Sequence, residues 1–166
     1  MTPRLTLESA TPGATRHIGE RIGRLLRAGD VVLLSGELGA GKTVLAQGIG
    51  RGLGVRDPIK SSSFVIMNEY AGRLRLYHAD LYRLEDPAQV AELALDELAA
   101  DGVLAVEWPE RAPAELAAEH LAVRLDYGTA RSRTVTLAAS GARYEALVRA
   151  LSRSRRPRRD DHPHPA

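Results

Sequence analysis

The sequence predicts a three-layer α/β fold whose mixed, partly parallel sheet is flanked by helices. Two continuous apolar runs, residues 31–34 and 103–106, lack the polar alternation of a half-exposed strand. Such runs are typical of parallel strands that are buried on both faces, and each run adjoins segments with helical spacing. Two later runs, residues 121–126 and 134–137, favour an antiparallel pair added to the same sheet.

The chain begins with a strand and a helix that lead into the first buried strand. Residues 4–8 alternate polar and apolar side chains, which indicates a short strand. Thr11 and Pro12 then have the residue types of an N-cap and a first helical position, and the helix is predicted to end at residues 28–29.

A second helix is predicted over residues 43–53, because apolar residues recur there every four positions. Three glycines interrupt it, and each costs about 1 kcal/mol relative to alanine. Close packing against another backbone would explain them; they are Gly48, Gly50 and Gly52.

The remaining segments complete the layers. Residues 64–70 and 74–78 are predicted to pair as a hairpin. Helices are expected over residues 86–100, 113–119 and 142–151.

Composition and charge narrow the class of protein. Hydrophobic residues make up 44% of the 166 residues, enough for a core, and the absence of cysteine excludes disulfides and thiolate metal sites. Residues 152–166 carry five arginines and two aspartates, so the rest of the chain has a net charge near −1. We therefore predict one domain over residues 1–151, followed by a basic, disordered tail rich in Arg, Pro and His. Without a signal-like segment or an apolar run of about 18 residues, we expect a cytoplasmic protein without a membrane span.

Residues 36–43 read GELGAGKT and fit the phosphate-binding pattern G-x-x-x-x-G-K-[ST], between a predicted buried strand and a helix. In such a loop, backbone amides and the helix N-terminus hold the β-phosphate. Lys42 is expected to reach the β- and γ-phosphates, and the Thr43 hydroxyl to bind Mg²⁺. Lys42 is one of only two lysines in the chain.

Two acidic residues follow predicted strands and are candidates for the metal or the attacking water. Asp80 follows the strand at residues 74–78, and Glu107 follows the buried run at 103–106. Ligands of open α/β sheets lie outside the carboxyl ends of the strands, which places both acids near Thr43. The alternative for Asp80 is a cap on the following turn.

GTPases and small-molecule kinases also use phosphate-binding loops, and the sequence can be tested for their features. The guanine-recognition pattern N-K-x-D is absent, since Asn68 is followed by Glu69. A small-molecule kinase would need arginines in a lid, and Arg131 and Arg133 are candidates or, equally, exposed turn residues.

The ordered motifs resemble the TsaE family of P-loop ATPases in bacterial tRNA threonylcarbamoyladenosine synthesis. GELGAGKT is similar to the family's G-D-L-G-A-G-K-T, with Glu37 in place of Asp. Residues 61–64 (SSSF) stand where the family has S-P-T-[FY]. Residues 78–84 (HADLYRL) resemble H-x-D-L-Y-R-L, and the pair Glu107 and Trp108 matches the family's E-W.

The resemblance implies an ATPase that binds ATP or ADP with Mg²⁺. It implies catalytic roles for Lys42, Asp80 and Glu107. Thr43 and Glu107 are implied to bind Mg²⁺, with Asp80 in or beside the metal shell, and either acid is left to position the water. The implied nucleotide-binding residues are Thr11, Glu37, Leu38, Gly39, Ala40, Gly41, Lys42, Thr43 and the next residue, Val44. Ser63 would sense the γ-phosphate or the metal, and Arg133 would contact the nucleotide.

The implied partners are TsaD and TsaB, and tRNA indirectly through that complex. Two other functional hypotheses stay open at this point. The protein could be a small-molecule kinase that uses the same loop, or a nucleotide-sensing adaptor that does not hydrolyse ATP significantly. Trp108 and Tyr82 beside the site either pack at strand ends or face a nucleotide or partner.

Overall fold

The computed structural model describes residues 2–60, 66–113 and 116–154. Seven strands are formed by these residues: β1 (Arg4–Ser9), β2 (Val31–Gly36), β3 (Met67–Tyr70), β4 (Arg75–Asp80), β5 (Gly102–Glu107), β6 (His120–Tyr127) and β7 (Arg133–Ser140). The α-helices are α1 (Pro12–Leu25), α2 (Lys42–Gly52), α3 (Pro87–Ala91), α4 (Leu95–Leu98) and α5 (Ala142–Arg153). None of the described helices has the length and apolar character needed to cross a membrane.

The strands form one mixed sheet in the order β1-β7-β6-β2-β5-β4-β3. Its centre, β6-β2-β5-β4, is parallel, and antiparallel strands are added at both sides. The predicted mixed, partly parallel sheet is therefore confirmed. Because β2, β4 and β5 run in the same direction, their carboxyl ends meet at one edge.

Alternate residues of the central strands feed two separate cores, one on each face of the sheet. In β5, Val103 and Ala105 face the core that also contains α1, α2 and α5, while Leu104 and Val106 face the core beneath α3 and α4. All six residues of β5 are buried. This two-sided burial explains the continuous apolar run in the sequence.

Glycines bring α1 and α2 into backbone contact. A methyl group at Gly48 would collide with the carbonyl oxygen of Arg16 and would stand 2.9 Å from the Cα of Gly19. Gly52 meets the carbonyl of Glu20 in the same way. The close backbone approach expected from the helix glycines is thus confirmed for Gly48 and Gly52, and the neighbouring backbone is that of α1. For Gly50 the expectation is wrong, because a methyl group there would meet the side chain of Ile59 rather than a backbone.

Three element predictions need correction. The helix expected over residues 86–100 is divided into α3, α4 and a 3₁₀ turn at Ala99–Asp101, because Ala94 adopts a left-handed conformation with φ of 49°. Residues 113 and 116–119 form no helix, and the preceding 3₁₀ turn, Pro109–Arg111, was not predicted. Helix α1 ends at Leu25, three residues early.

The C-terminal helix continues slightly past its predicted end. Helix α5 runs to Arg153, and Arg21 of α1 donates hydrogen bonds to the Leu151 carbonyl and the Ser154 hydroxyl, at 2.9 and 2.5 Å. Residues 155–166 of the predicted tail lie outside the described residues.

Candidate functional site

The glycine-rich loop joins the end of β2 to the start of α2, as its sequence pattern predicts. Gly36, Gly39 and Gly41 have φ values of 144°, 78° and 107°, which side chains with a Cβ rarely adopt. Gly41 is the N-cap of α2, so the first amides of that helix point into the loop without intrahelical acceptors. The loop therefore has the backbone shape and the positive helix end that bind a phosphate group.

Lys42 is the first residue of α2, where the loop ends, and its side chain is buried. Its Nζ donates to the carbonyls of Gly36 and Glu37, at 2.6 and 2.9 Å, and stands 4.2 Å from the ring centroid of Trp108. Burial lowers the pKa of Lys42, and the nearby carboxylates, Glu107 first, act in the opposite direction.

Thr43, the second residue of α2, faces the carboxylate of Glu107 at the end of β5. The Thr43 hydroxyl donates to that carboxylate at 3.2 and 3.3 Å to its two oxygens. On the other side, Nε2 of His78 lies 2.6 Å from Oε2 of Glu107, and both side chains are buried. His78 thus fixes the orientation of the carboxylate that Thr43 contacts.

Asp80 is the residue paired with Glu107 in the register of β4 and β5. It points to the same face of the sheet as His78, because residues two apart in a strand share a face. Its Oδ1 accepts a hydrogen bond from the Tyr82 amide at 3.1 Å, so the turn-capping role considered for Asp80 is present. Both predicted acids therefore lie together at one edge of the sheet.

The oxygen donors at this edge suit Mg²⁺ better than they suit a metal ion that is coordinated by protein side chains alone. The described residues contain no group of three or more His, Cys, Asp or Glu side chains arranged to hold a metal. Mg²⁺ needs fewer protein ligands, since it is commonly bound by one or two carboxylates together with substrate phosphates and waters. Thr43, Glu107 and Asp80 supply such a set.

Aromatic rings cover one side of Lys42. Trp108 directly follows Glu107 with φ of 59°, and its ring meets that of Tyr82 at a centroid distance of 4.9 Å and a tilt of 48°. The guanidinium of Arg111 lies 5.8 Å from the Tyr82 ring centroid. Two roles are considered above for Trp108 and Tyr82. The structure shows the first of them, packing at strand ends, and this packing includes Lys42.

The opposite side of the loop is held by β6 and β7. The Tyr127 hydroxyl donates to the Leu38 carbonyl at 2.7 Å, and Nε of Arg133 donates to the Ala40 carbonyl at 3.2 Å. The Arg133 guanidinium also lies 4.3 Å from the ring centroid of Tyr127. Arg133 therefore binds the backbone of the glycine-rich loop and helps to hold it in place.

The other predicted binding residues occupy varied positions. Thr11 caps α1, since its hydroxyl accepts from the Ala14 amide at 3.0 Å. The Glu37 carbonyl accepts from the Ala40 amide, Leu38 is 67% exposed at the loop tip, and Val44 is half-buried in α2. Ser63 lies outside the described residues.

Sequence reasoning missed two residues of the site. His78 opens the HADLYRL motif and stands two positions before Asp80, so a shared strand face was a usable signal for it. Tyr127 carried no local signal, because its contact with Leu38 joins positions that are 89 residues apart.

The fold and the loop define the class of protein: a three-layer α/β protein of the P-loop NTPase-like class. Comparison with known families assigns it further. The family model "Threonylcarbamoyl adenosine biosynthesis protein TsaE" matches residues 9–135. The chain belongs to the TsaE family, as the motifs predicted.

Individual relatives agree with this assignment. A protein of Nostoc sp., named tRNA threonylcarbamoyladenosine biosynthesis protein TsaE, is 46% identical over 127 residues, which cover 72% of this chain and 76% of the relative. The Bacillus subtilis protein of the same name is 38% identical over 151 residues, covering 90% and 94%. The crystal structure of Bacillus subtilis YdiB superposes with a TM-score of 0.76 at 36% identity, covering 93% of this chain and 97% of that one.

Proposed function

We propose that this chain is the Mg²⁺-dependent, ATP-hydrolysing subunit of the machinery that forms threonylcarbamoyladenosine in tRNA. One observation carries the proposal: the hydroxyl of Thr43 stands within 3.3 Å of the buried Glu107 carboxylate at the mouth of the glycine loop. Phosphoryl-transfer enzymes require this arrangement, in which a phosphate-binding loop lies beside a carboxylate that can coordinate a metal ion.

The loop and Lys42 bind the phosphates. The first amides of α2 and the amides of the loop donate to β-phosphate oxygens. The Lys42 ammonium, already directed at two loop carbonyls, exchanges these acceptors for phosphate oxygens and neutralises their charge.

The carboxylates and Thr43 provide the metal ligands and position the attacking water. Mg²⁺, when bound, would supply positive charge that stabilises the charge developing on the phosphate oxygens. Thr43, whose hydroxyl contacts Glu107, and Glu107 itself would hold the ion, and Asp80, paired with Glu107 in the sheet, would lie in or beside its shell. His78 holds Glu107 through a contact of 2.6 Å, so the carboxylate does not need to reorient during the reaction.

The names of the relatives support the biological setting. They are called tRNA threonylcarbamoyladenosine biosynthesis proteins. The resemblance of the motifs implies, in addition, cooperation with TsaD and TsaB. Hydrolysis in this chain then supports turnover of that pair, which transfers the threonylcarbamoyl group, and tRNA is reached through the complex.

The test measures phosphate release and modified tRNA together, with and without TsaD and TsaB homologues. We expect slow hydrolysis by the chain alone, an increase with both partners, and loss of hydrolysis with EDTA. Glu107→Gln should lower the hydrolysis rate by about 100-fold or more while the chain stays folded. Glu92→Gln, which removes the same charge from an exposed residue between α3 and α4, is the matched control.

Two results would contradict the proposal. Wild-type hydrolysis by Glu107→Gln would remove this carboxylate from the mechanism. ATP consumption that requires a small-molecule acceptor and leaves tRNA modification unchanged would identify a kinase instead.

A further inference from the structure

A second concave site lies along the outer side of α1 and α2, away from the glycine loop. It is a cavity of about 250 Å³ between Arg16 of α1, Gln47 and Arg51 of α2, and residues 55–59. Along α2, Thr43 and Arg51 are eight residues apart, which is about 12 Å at the rise of an α-helix. The cavity is thus distinct from the nucleotide site proposed above.

Positive charge dominates the lining of this cavity. Arg16, Arg51 and Arg56 face one acid, Asp57. Within the described parts of the chain, neither Arg51 nor Arg56 forms an ion pair with a carboxylate. This local excess contrasts with the near-neutral charge of the chain before its tail.

The floor of the cavity is held in place. The Gln47 amide nitrogen donates to the Ile59 carbonyl at 3.0 Å, and the Gln47 oxygen accepts from Arg16 at 3.5 Å. Val55 and Ile59 are buried beneath it. Because Gly48 places α2 against the Arg16 carbonyl, the backbone positions of Arg16 and Gln47 are rigidly related.

We propose that this cavity is an anion site that binds a phosphate group, either from the backbone of an RNA or from a small phosphorylated molecule. Three guanidinium groups offer more N–H donors than the two oxygens of a carboxylate accept, whereas a phosphate presents additional oxygens. A phosphate monoester also carries a charge near −2, which matches the excess of two positive charges in the lining.

The experiment compares two charge-matched double variants of the full-length chain. Arg51→Gln with Arg56→Gln removes the cavity's exposed arginines, and Arg24→Gln with Arg149→Gln removes two exposed arginines elsewhere. Fluorescence anisotropy with a labelled single-stranded RNA measures affinity over a salt series. In parallel, the Nε–Hε NMR signals of Arg51 and Arg56 are followed in wild-type protein during titration with inorganic phosphate.

We expect phosphate to shift both arginine signals in a saturable manner. If RNA is the source, the cavity variant reduces the slope of log affinity against log salt by about 1.4, for two lost phosphate contacts, while the control variant keeps the wild-type slope. If only inorganic phosphate shifts the signals and RNA affinity is unchanged, the ligand is a small phosphorylated molecule.

Other outcomes overturn the proposal. It fails if inorganic phosphate leaves both arginine signals of the wild type unshifted and RNA affinity does not distinguish the cavity variant from the control. It also fails if poly-glutamate shifts the arginine signals and phosphate does not, since the cavity then recognises acidic protein segments. Equal thermal midpoints of the two variants confirm that any difference concerns binding.

Discussion

At the scale of single residues, Lys42 shows how burial and hydrogen bonding act on one charge. Its ammonium is removed from water but is bound by two carbonyls and lies over the Trp108 ring. These contacts keep a charged group inside the loop at the expense of its hydration. The net result is that the pKa of Lys42 is lowered, with burial as the main cause.

This lowered pKa predicts a pH dependence of stability. Between the folded pKa of Lys42 and its ordinary value of 10.5, the unfolded chain binds more protons than the folded chain, so deprotonation favours the folded state. Relative to Lys42→Met, we expect the wild type to gain stability as the pH rises from 8 to 11. Urea unfolding of both proteins at each pH measures this difference.

Titration of groups that Lys42 does not influence cancels in that comparison. A difference in unfolding free energy that stays constant, or that moves in favour of Lys42→Met as the pH rises, would contradict the assigned direction.

The residues of the site differ in how far local sequence announces them. Lys42 and Thr43 were predicted from an eight-residue pattern, and Asp80 and Glu107 from their positions after strands. Their mutual distances were not predictable, because the contact between Thr43 and Glu107 spans 64 positions of the chain. That contact depends on the parallel pairing of β2 with β5.

At the scale of elements, the contact between α1 and α2 is where an added side-chain atom should affect stability most. We expect Gly48→Ala to destabilise the fold by about 1–3 kcal/mol, because its methyl group meets the Arg16 carbonyl and helix backbones cannot yield as a side chain does. Chemical unfolding of the purified variant measures the loss.

Gly13→Ala is the matched control within α1. A methyl group there comes no closer than 3.7 Å to the Thr11 hydroxyl oxygen and the position is exposed, so we expect no loss and a gain of up to about 1 kcal/mol. If both variants were equally stable, the helix contact would be looser than described.

The sequence predicts correctly the elements in which apolar residues follow a regular pattern. It fails where the backbone conformation of a single residue ends a helix. The central strands and α2 followed from apolar runs and four-residue spacing. The segment at 86–100 has helical composition, yet Ala94 in the left-handed region divides it. Composition did not signal this break, since alanine has the highest helix propensity of all residues.

At the scale of the whole molecule, both cores end before the tail. Every buried apolar residue of the two core clusters lies between Leu5 and Leu151. We therefore expect a chain truncated after Ser154 to keep its thermal midpoint within about 2 °C, as judged by circular dichroism.

A second truncation, after Tyr144, serves as the contrast. It removes three buried residues of α5, Leu147, Val148 and Leu151, and should unfold the chain or lower its midpoint strongly. Unfolding of the chain truncated after Ser154 would show that residues 155–166 contribute to the fold.

Local sequence alone was sufficient for the α/β class, the phosphate-type loop, the candidate acids and the family, because these depend on short patterns of residue type and spacing. The order of the strands, the clamp of Tyr127 and Arg133 on the loop, the His78 contact with Glu107 and the arginine-lined cavity required the tertiary structure. Each of these joins segments that are distant in the chain, and which distant segments meet is decided by the packing of the whole sheet and its helices.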